Sequence, residues 1–219
     1  MERIGNTVFR KKSGVRKMKQ ITKYIITGII LLMFVTTGAC YGRQYYLQQQ
    51  LAEKVLRFHV LANSDSVEDQ RLKLEVRDAI GGYMQEQMKM TESKEACETM
   101  VTEQIPVIEE IADTVVKEAG FTYEVHAELT ECKFPVKTYG AYTFPAGNYD
   151  ALRVTIGDGN GQNWWCVMYP NMCFENSMYE VVDEKTEALL RVVLDEEEYQ
   201  AVLNSGDYEV RFWFLEWFR

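Results

Sequence analysis

Cys166 and Cys173 stand seven residues apart around Pro170, immediately after the adjacent pair Trp164 and Trp165, and the chain has two histidines, His59 and His126. These residue types admit three chemistries. A thiolate at Cys166 beside His59 or His126 would be a nucleophile with its base, the arrangement of a cysteine hydrolase. Closed on each other, Cys166 and Cys173 would form a disulfide across a short loop, worth roughly 2–3 kcal/mol. The third reading is structural: Trp164 and Trp165 become the apolar payload of a sheet, one ring on each face because neighbouring strand residues point opposite ways.

The elements around these residues follow from pattern. Leu152, Val154 and Ile156 precede a Gly/Asp/Asn stretch, and Trp165, Val167 and Tyr169 follow it, so alternation predicts a β-hairpin turning within Asp158, Gly159, Asn160 and Gly161. Residues 55–61 alternate as a strand, with Leu56, Phe58, Val60 and Ala62 on an apolar face and Arg57 and His59 on the other. A lone histidine there is more often a hydrogen-bonded structural residue than a catalyst. Asn63, Ser64, Asp65 and Ser66 then make the turn into a helix, where the spacing of Ser66 and Asp69 resembles a capping box.

Beyond this turn, Leu72, Val76, Ile80 and Tyr83 form a helical stripe interrupted by Gly81 and Gly82. A second helix is expected from Thr91 or Ser93 to Lys117, kinked or broken at Pro106 and stopped by Gly120. Residues 121–129 read as a strand with His126 on its wet face between Glu124 and Glu128. Two Phe-Pro corners make residues 132–148 a structured excursion over the sheet. Two short helices (183–194 and 195–203) and an aromatic strand (208–215) close the chain. The expected fold is α+β: one domain with a mixed or antiparallel sheet of about four to five strands packed by helices.

Charge divides the 219 residues unevenly. Residues 1–23 carry eight Lys/Arg against one Glu, and the remainder carries sixteen basic against thirty-two acidic residues. So acidic a body repels nucleic acid and anionic lipid, which excludes both as partners of the folded part. Residues 24–42 are uncharged after a basic n-region, about the length needed to span a bilayer, and the basic flank keeps that end cytoplasmic. The expected layout is therefore a basic region (1–23), a signal peptide or signal anchor (24–42), a polar juxtamembrane helix or tether (43–54) and an exported domain (55–219). Thr37, Gly38 and Ala39 offer a peptidase small residues before Cys40, whereas the length of the apolar stretch favours an anchor. Neither C-x-x-C nor a Cys/His cluster of zinc spacing is present, so no metal is expected. GxSxG, HExxH and phosphate-loop motifs are absent too, and no cofactor is expected.

FHVLANSDSVEDQRLKLEVRD at 58–78, FPVKTYG at 134–140 and FPAGNYDALRVTIGDGNGQNWWCVMYPNMCF at 144–174, behind a basic and apolar amino terminus, resemble the stage II sporulation protein R family. The pattern departs at Asn171, where the family usually has a second proline. The resemblance implies a non-catalytic signal of endospore-forming bacteria, exported from the forespore into the space between two membranes. There it switches on a membrane-embedded aspartic protease that removes the pro-segment of a sigma factor. From the residues, the contact surface is expected at the sheet end holding His59, Asn63, Asp65 and Ser66 and on the loop beginning at Trp164 and Trp165. The alternatives are the exported hydrolase using Cys166 with His59 or His126, and a passive wall-binding module stacking sugars on the tryptophans.

Overall fold

The structure is a computed structural model that describes residues 2–88, 91–172 and 184–203, with side chains from residue 20 and, in the last segment, from residue 187. The chain divides into two units, residues 1–46 and 47–219. The first lies within helix α1 (Glu2–Lys54), whose side chains from 20 to 46 are all exposed. Gln20–Lys54 is long and apolar enough to cross a membrane. Tyr24 stands at one end of the apolar stretch and Tyr41, Tyr45 and Tyr46 at the other, all exposed. Amphipathic rings take such positions at the two interfaces of a bilayer.

The second unit is organised on a four-stranded mixed sheet. Its strands are β1 (Leu56–Leu61), β2 (Val125–Phe134), β5 (Gly147–Ile156) and β6 (Asn163–Tyr169), in the order β2-β5-β1-β6. β5 runs parallel to β1, and the two outer pairings are antiparallel. One face takes the apolar residues of β1 and β5: Leu56, Phe58, Val60, Leu152, Val154 and Ile156. Helices α2 (Val67–Met88) and α3 (Lys94–Glu118) cover it through Leu72, Val76, Ile80, Val101, Ile108 and Ala112. Truncating Phe58, 0% exposed, to alanine would cost about 3–5 kcal/mol. The second face is covered by the small hairpin of β3 (Lys137–Tyr139) and β4 (Tyr142–Phe144), by Leu51 of α1, and by α4 (Glu184–Val193) and α5 (Glu196–Leu203).

Local signals set the helix ends as expected. Ser66 Oγ accepts from Asp69 N at 3.1 Å, and Ser93 Oγ accepts from Ala96 N at 3.1 Å. At the end of α3, Gly120 adopts a φ of 83°. Gly120 N donates to Lys117 O and Phe121 N to Val116 O, the pair of bonds of a Schellman stop. α5 carries a reciprocal box, Asp195 Oδ1 accepting from Glu198 N and Glu198 Oε2 from Asp195 N. Glu198 Oε2 also accepts from Lys54 Nζ at 2.5 Å, tying α5 to the end of α1.

Several expectations are corrected. β5 and β6 do not form a hairpin, because β1 lies between them and pairs with both. Alternation identifies two strands and a turn but not which strand fills the gap between them, and residues 157–162 arch over the end of β1 instead. α3 passes Pro106 without a break, and that proline is exposed, where its missing N–H bond faces water. The expected strand at 121–129 shifts to Val125–Phe134, in unbroken register with β5. Leu51 and Gln48, 1% and 6% exposed, are buried within the second unit, so the folded part begins before Val55. The aromatic strand expected at 208–215 lies outside the described residues.

Candidate functional site

The arch explains the polar turn that follows β1. A connection crossing a strand end has no ladder partner, so its backbone groups take bonds from whatever leaves that strand. Asn160 N donates to Asn63 O and Gly161 N to Ala62 O, at 3.1 and 2.9 Å. Asp158 N donates to Asn63 Oδ1 at 3.0 Å and Gln162 N to Asp65 Oδ1 at 2.7 Å. None of the three arch glycines has room for a side chain. Gly157 and Gly159 have φ of 57° and 63°, and a Cβ would strike Asn63 at the first and the Thr155 methyl at the second; a Cβ at Gly161 would strike the Ser64 carbonyl.

Asp69 is the centre of this corner. It is 3% exposed and accepts from Asn63 Nδ2 at 3.0 Å and Ser64 Oγ at 2.5 Å. Burial works to raise its pKa, but hydrogen bonds from Ser64, Asn63, Tyr123 and Ser66 outweigh it and hold the carboxylate below its usual range. Lys73, 5% exposed, donates to Gln162 O at 2.9 Å and so ties α2 to the arch. Burial lowers its pKa and Arg77 adds to that, against Asp65.

The tryptophans divide between the faces. Trp164 meets Phe58 edge-on at 5.4 Å beneath the Arg77 guanidinium. On the other face Trp165 stacks on His59 at 3.8 Å and 16°, and both rings contact Phe134. His59 is 5% exposed, and neither ring nitrogen reaches a partner at hydrogen-bond geometry. Burial pushes its pKa down to about 4, with a weaker upward influence from Asn163 and a downward one from Arg153. At neutral pH this imidazole is uncharged.

Arg57, two residues earlier on the same face, is 0% exposed. It donates from Nε to Cys166 O at 2.9 Å and from an Nη to the Tyr139 hydroxyl at 3.0 Å. Its guanidinium lies 4.4 Å from the Phe134 ring centroid, 5.0 Å from Tyr149 and 5.3 Å from Phe144, an aromatic cage with no carboxylate in contact among the described residues. Burial lowers its pKa. The sequence held a signal for this residue that was not used: one arginine in an otherwise apolar strand, and the aromatic-rich segment 134–149 to receive it.

Every candidate residue that is described thus has an intramolecular role. Asn63, Asp65 and Ser66 build the corner, His59 and Trp165 form one stack, and Trp164 sits on the opposite face. Asp65 and Ser66 are exposed and both tryptophans half-buried, so these retain surface for a partner. Cys166 is buried and disulfide-bonded, and Cys40, Cys97 and Cys132 are free; Cys173 lies outside the described residues. A bonded sulfur offers no thiolate. His126 is exposed, with Nδ1 3.1 Å from Glu109 Oε1. Among the described residues no group of three His, Cys, Asp or Glu is placed to hold a metal ion.

No solved structure matches this chain. A model of the stage II sporulation protein R family matches residues 52–179, which takes in the corner, the arch and both tryptophans. The stage II sporulation protein R of Bacillus subtilis (strain 168) is 31% identical over 181 residues, covering 76% of this chain and 81% of the relative. With that coverage reaching across the whole sheet, the chain belongs to the stage II sporulation protein R family.

Proposed function

We propose that the chain is an exported signal that activates a membrane-embedded aspartic protease, which then processes a sigma-factor precursor in the mother cell. Family membership carries this reading. It is supported by the apolar helix ahead of the folded unit, which suits export or anchoring, and by an acidic body of a kind that engages proteins rather than nucleic acid. Activation requires differential contact, because a ligand that binds active and inactive protease equally shifts nothing. Raising an active fraction from one per cent to half takes about 2.7 kcal/mol of preference. The exposed residues Asp65 and Ser66 and the half-buried Trp164 and Trp165 are the proposed contact surface, held by the Asn63 corner and the His59 stack.

Nothing favours the hydrolase reading, which needs a free thiolate at Cys166. The test is co-expression of the protease and the sigma-factor precursor in a host that makes no spores, with and without this chain. Processing that requires the chain, and persists in His126→Phe, supports the signal. Processing indifferent to the chain overturns it.

A further inference from the structure

Among the described residues, the four-stranded sheet has one long unpaired edge. β2 pairs with β5 over ten residues in unbroken antiparallel register, and no described strand lies on its other side. Two hydrogen bonds fix the parity: Gly157 N donates to Glu124 O, so even-numbered residues face β5, and Ala127 N donates outward to Glu109 Oε1. In an antiparallel ladder both backbone groups of alternate residues point the same way. Leu129, Glu131 and Lys133 therefore present their N–H and C=O groups outward. Glu109 caps one N–H, and it does so two residues before this row begins.

An unbulged edge of this length is what proteins blunt when it has no use. The opposite edge strand, β6, does carry a register shift where it pairs with β1. Carboxylates outnumber cations along the open row: Glu124 just ahead of β2, Glu131 within it and Glu109 of α3 stand against Lys133, while Glu128 is paired with Arg153. They disfavour a second acidic copy and favour a positively charged occupant. From this edge and its charge we propose that residues 129–133 accept an extended, basic segment of a protein partner as a fifth strand of the sheet. The identity of that partner as the protease rests on the function proposed above; the strand-accepting edge does not.

The test uses the full chain in detergent with the solubilised protease, read by hydrogen–deuterium exchange, together with the co-expression assay. The amides of Leu129, Glu131 and Lys133 are expected to become protected in the complex. Glu131→Pro removes an outward N–H without breaking a bond to β5, and it is expected to weaken the complex at least ten-fold with the melting temperature little changed. Should that variant misfold, the double reversal Glu124→Lys and Glu131→Lys tests the charge complementarity, again with at least a ten-fold loss expected. Full activation by folded Glu131→Pro, or protection confined to the Trp165 face, overturns the inference and leaves the proposed function standing. A chain that fails to activate overturns the function instead. The edge is then decided with the synthetic peptide KVKVKV: protection of the same three amides supports it, and no protection at millimolar peptide overturns it. Protection that arises only on dimerisation of the chain replaces the partner with a second copy and also overturns the proposal.

Discussion

Replacing Asp69 with alanine separates a structural corner from a loose polar turn. The carboxylate accepts from Asn63 Nδ2 and Ser64 Oγ at 3.0 and 2.5 Å, and it is 3% exposed. Hydrogen bonds to a charged group contribute about 1.5–3 kcal/mol each, and truncation leaves two half-buried donors without this acceptor. The two share one carboxylate, so their losses do not add fully, and about 3 kcal/mol is expected for Asp69→Ala. Asp65 gives the contrast. It is exposed and accepts one bond, from Gln162 N, so Asp65→Ala should cost only about 0.5–1.5 kcal/mol. Both are read from guanidinium unfolding of the full chain followed by tryptophan fluorescence, comparing midpoints at constant slope. Because the folded pKa of Asp69 is depressed, its contribution is complete above the ordinary carboxylate range and is lost as pH falls through the folded value. Equal effects of the two substitutions, or a cost below 1 kcal/mol for Asp69→Ala, would refute the reasoning.

Other substitutions probe the remaining parts. His59, whose folded pKa is about 4 against an unfolded value near 6.5, contributes stability that is complete above pH 6.5 and declines as pH falls towards 4. The full span is about 3 kcal/mol, and His59→Phe should flatten the stability profile in that window. Gly82→Ala should stabilise by about 0.5–1 kcal/mol, since a Cβ there meets nothing within 4 Å, whereas Gly161→Ala should destabilise by forcing the arch off the Ser64 carbonyl. At the caged Arg57, Arg57→Lys should cost more than Arg57→Met by thermal melting. A lysine keeps a buried charge but loses the planar fork that reaches Cys166 O and Tyr139, while methionine removes the charge.

Much of the architecture was legible because it is local. Alternation in β1, the Ser66 and Ser93 caps and the Gly120 stop each depend on residues within a few positions of one another, and each is found where expected. The assignment of one tryptophan to each face followed from strand geometry alone. Pairing was not legible in the same way. Residues 157–162 carry the turn chemistry of a hairpin, yet their glycines and polar groups answer to Asn63, Ser64 and Asp65, about a hundred positions away. The same non-local contact changes the meaning of the polar turn. Read from sequence, Asn63 and Asp65 looked free for a partner; in the fold they hold the arch, and their remaining exposed atoms are what a partner can reach. Arg57 escaped attention because a single charged residue in a strand usually faces water, whereas here the aromatic segment 134–149 folds back to enclose it.

The most direct measurement is the rate of precursor cleavage by the purified protease in liposomes, with increasing amounts of the full chain supplied to its extracytoplasmic face. The account predicts a saturable rise of up to about fifty-fold, the ratio between half and one per cent active. A cleavage rate that does not respond to the chain at any concentration would contradict it.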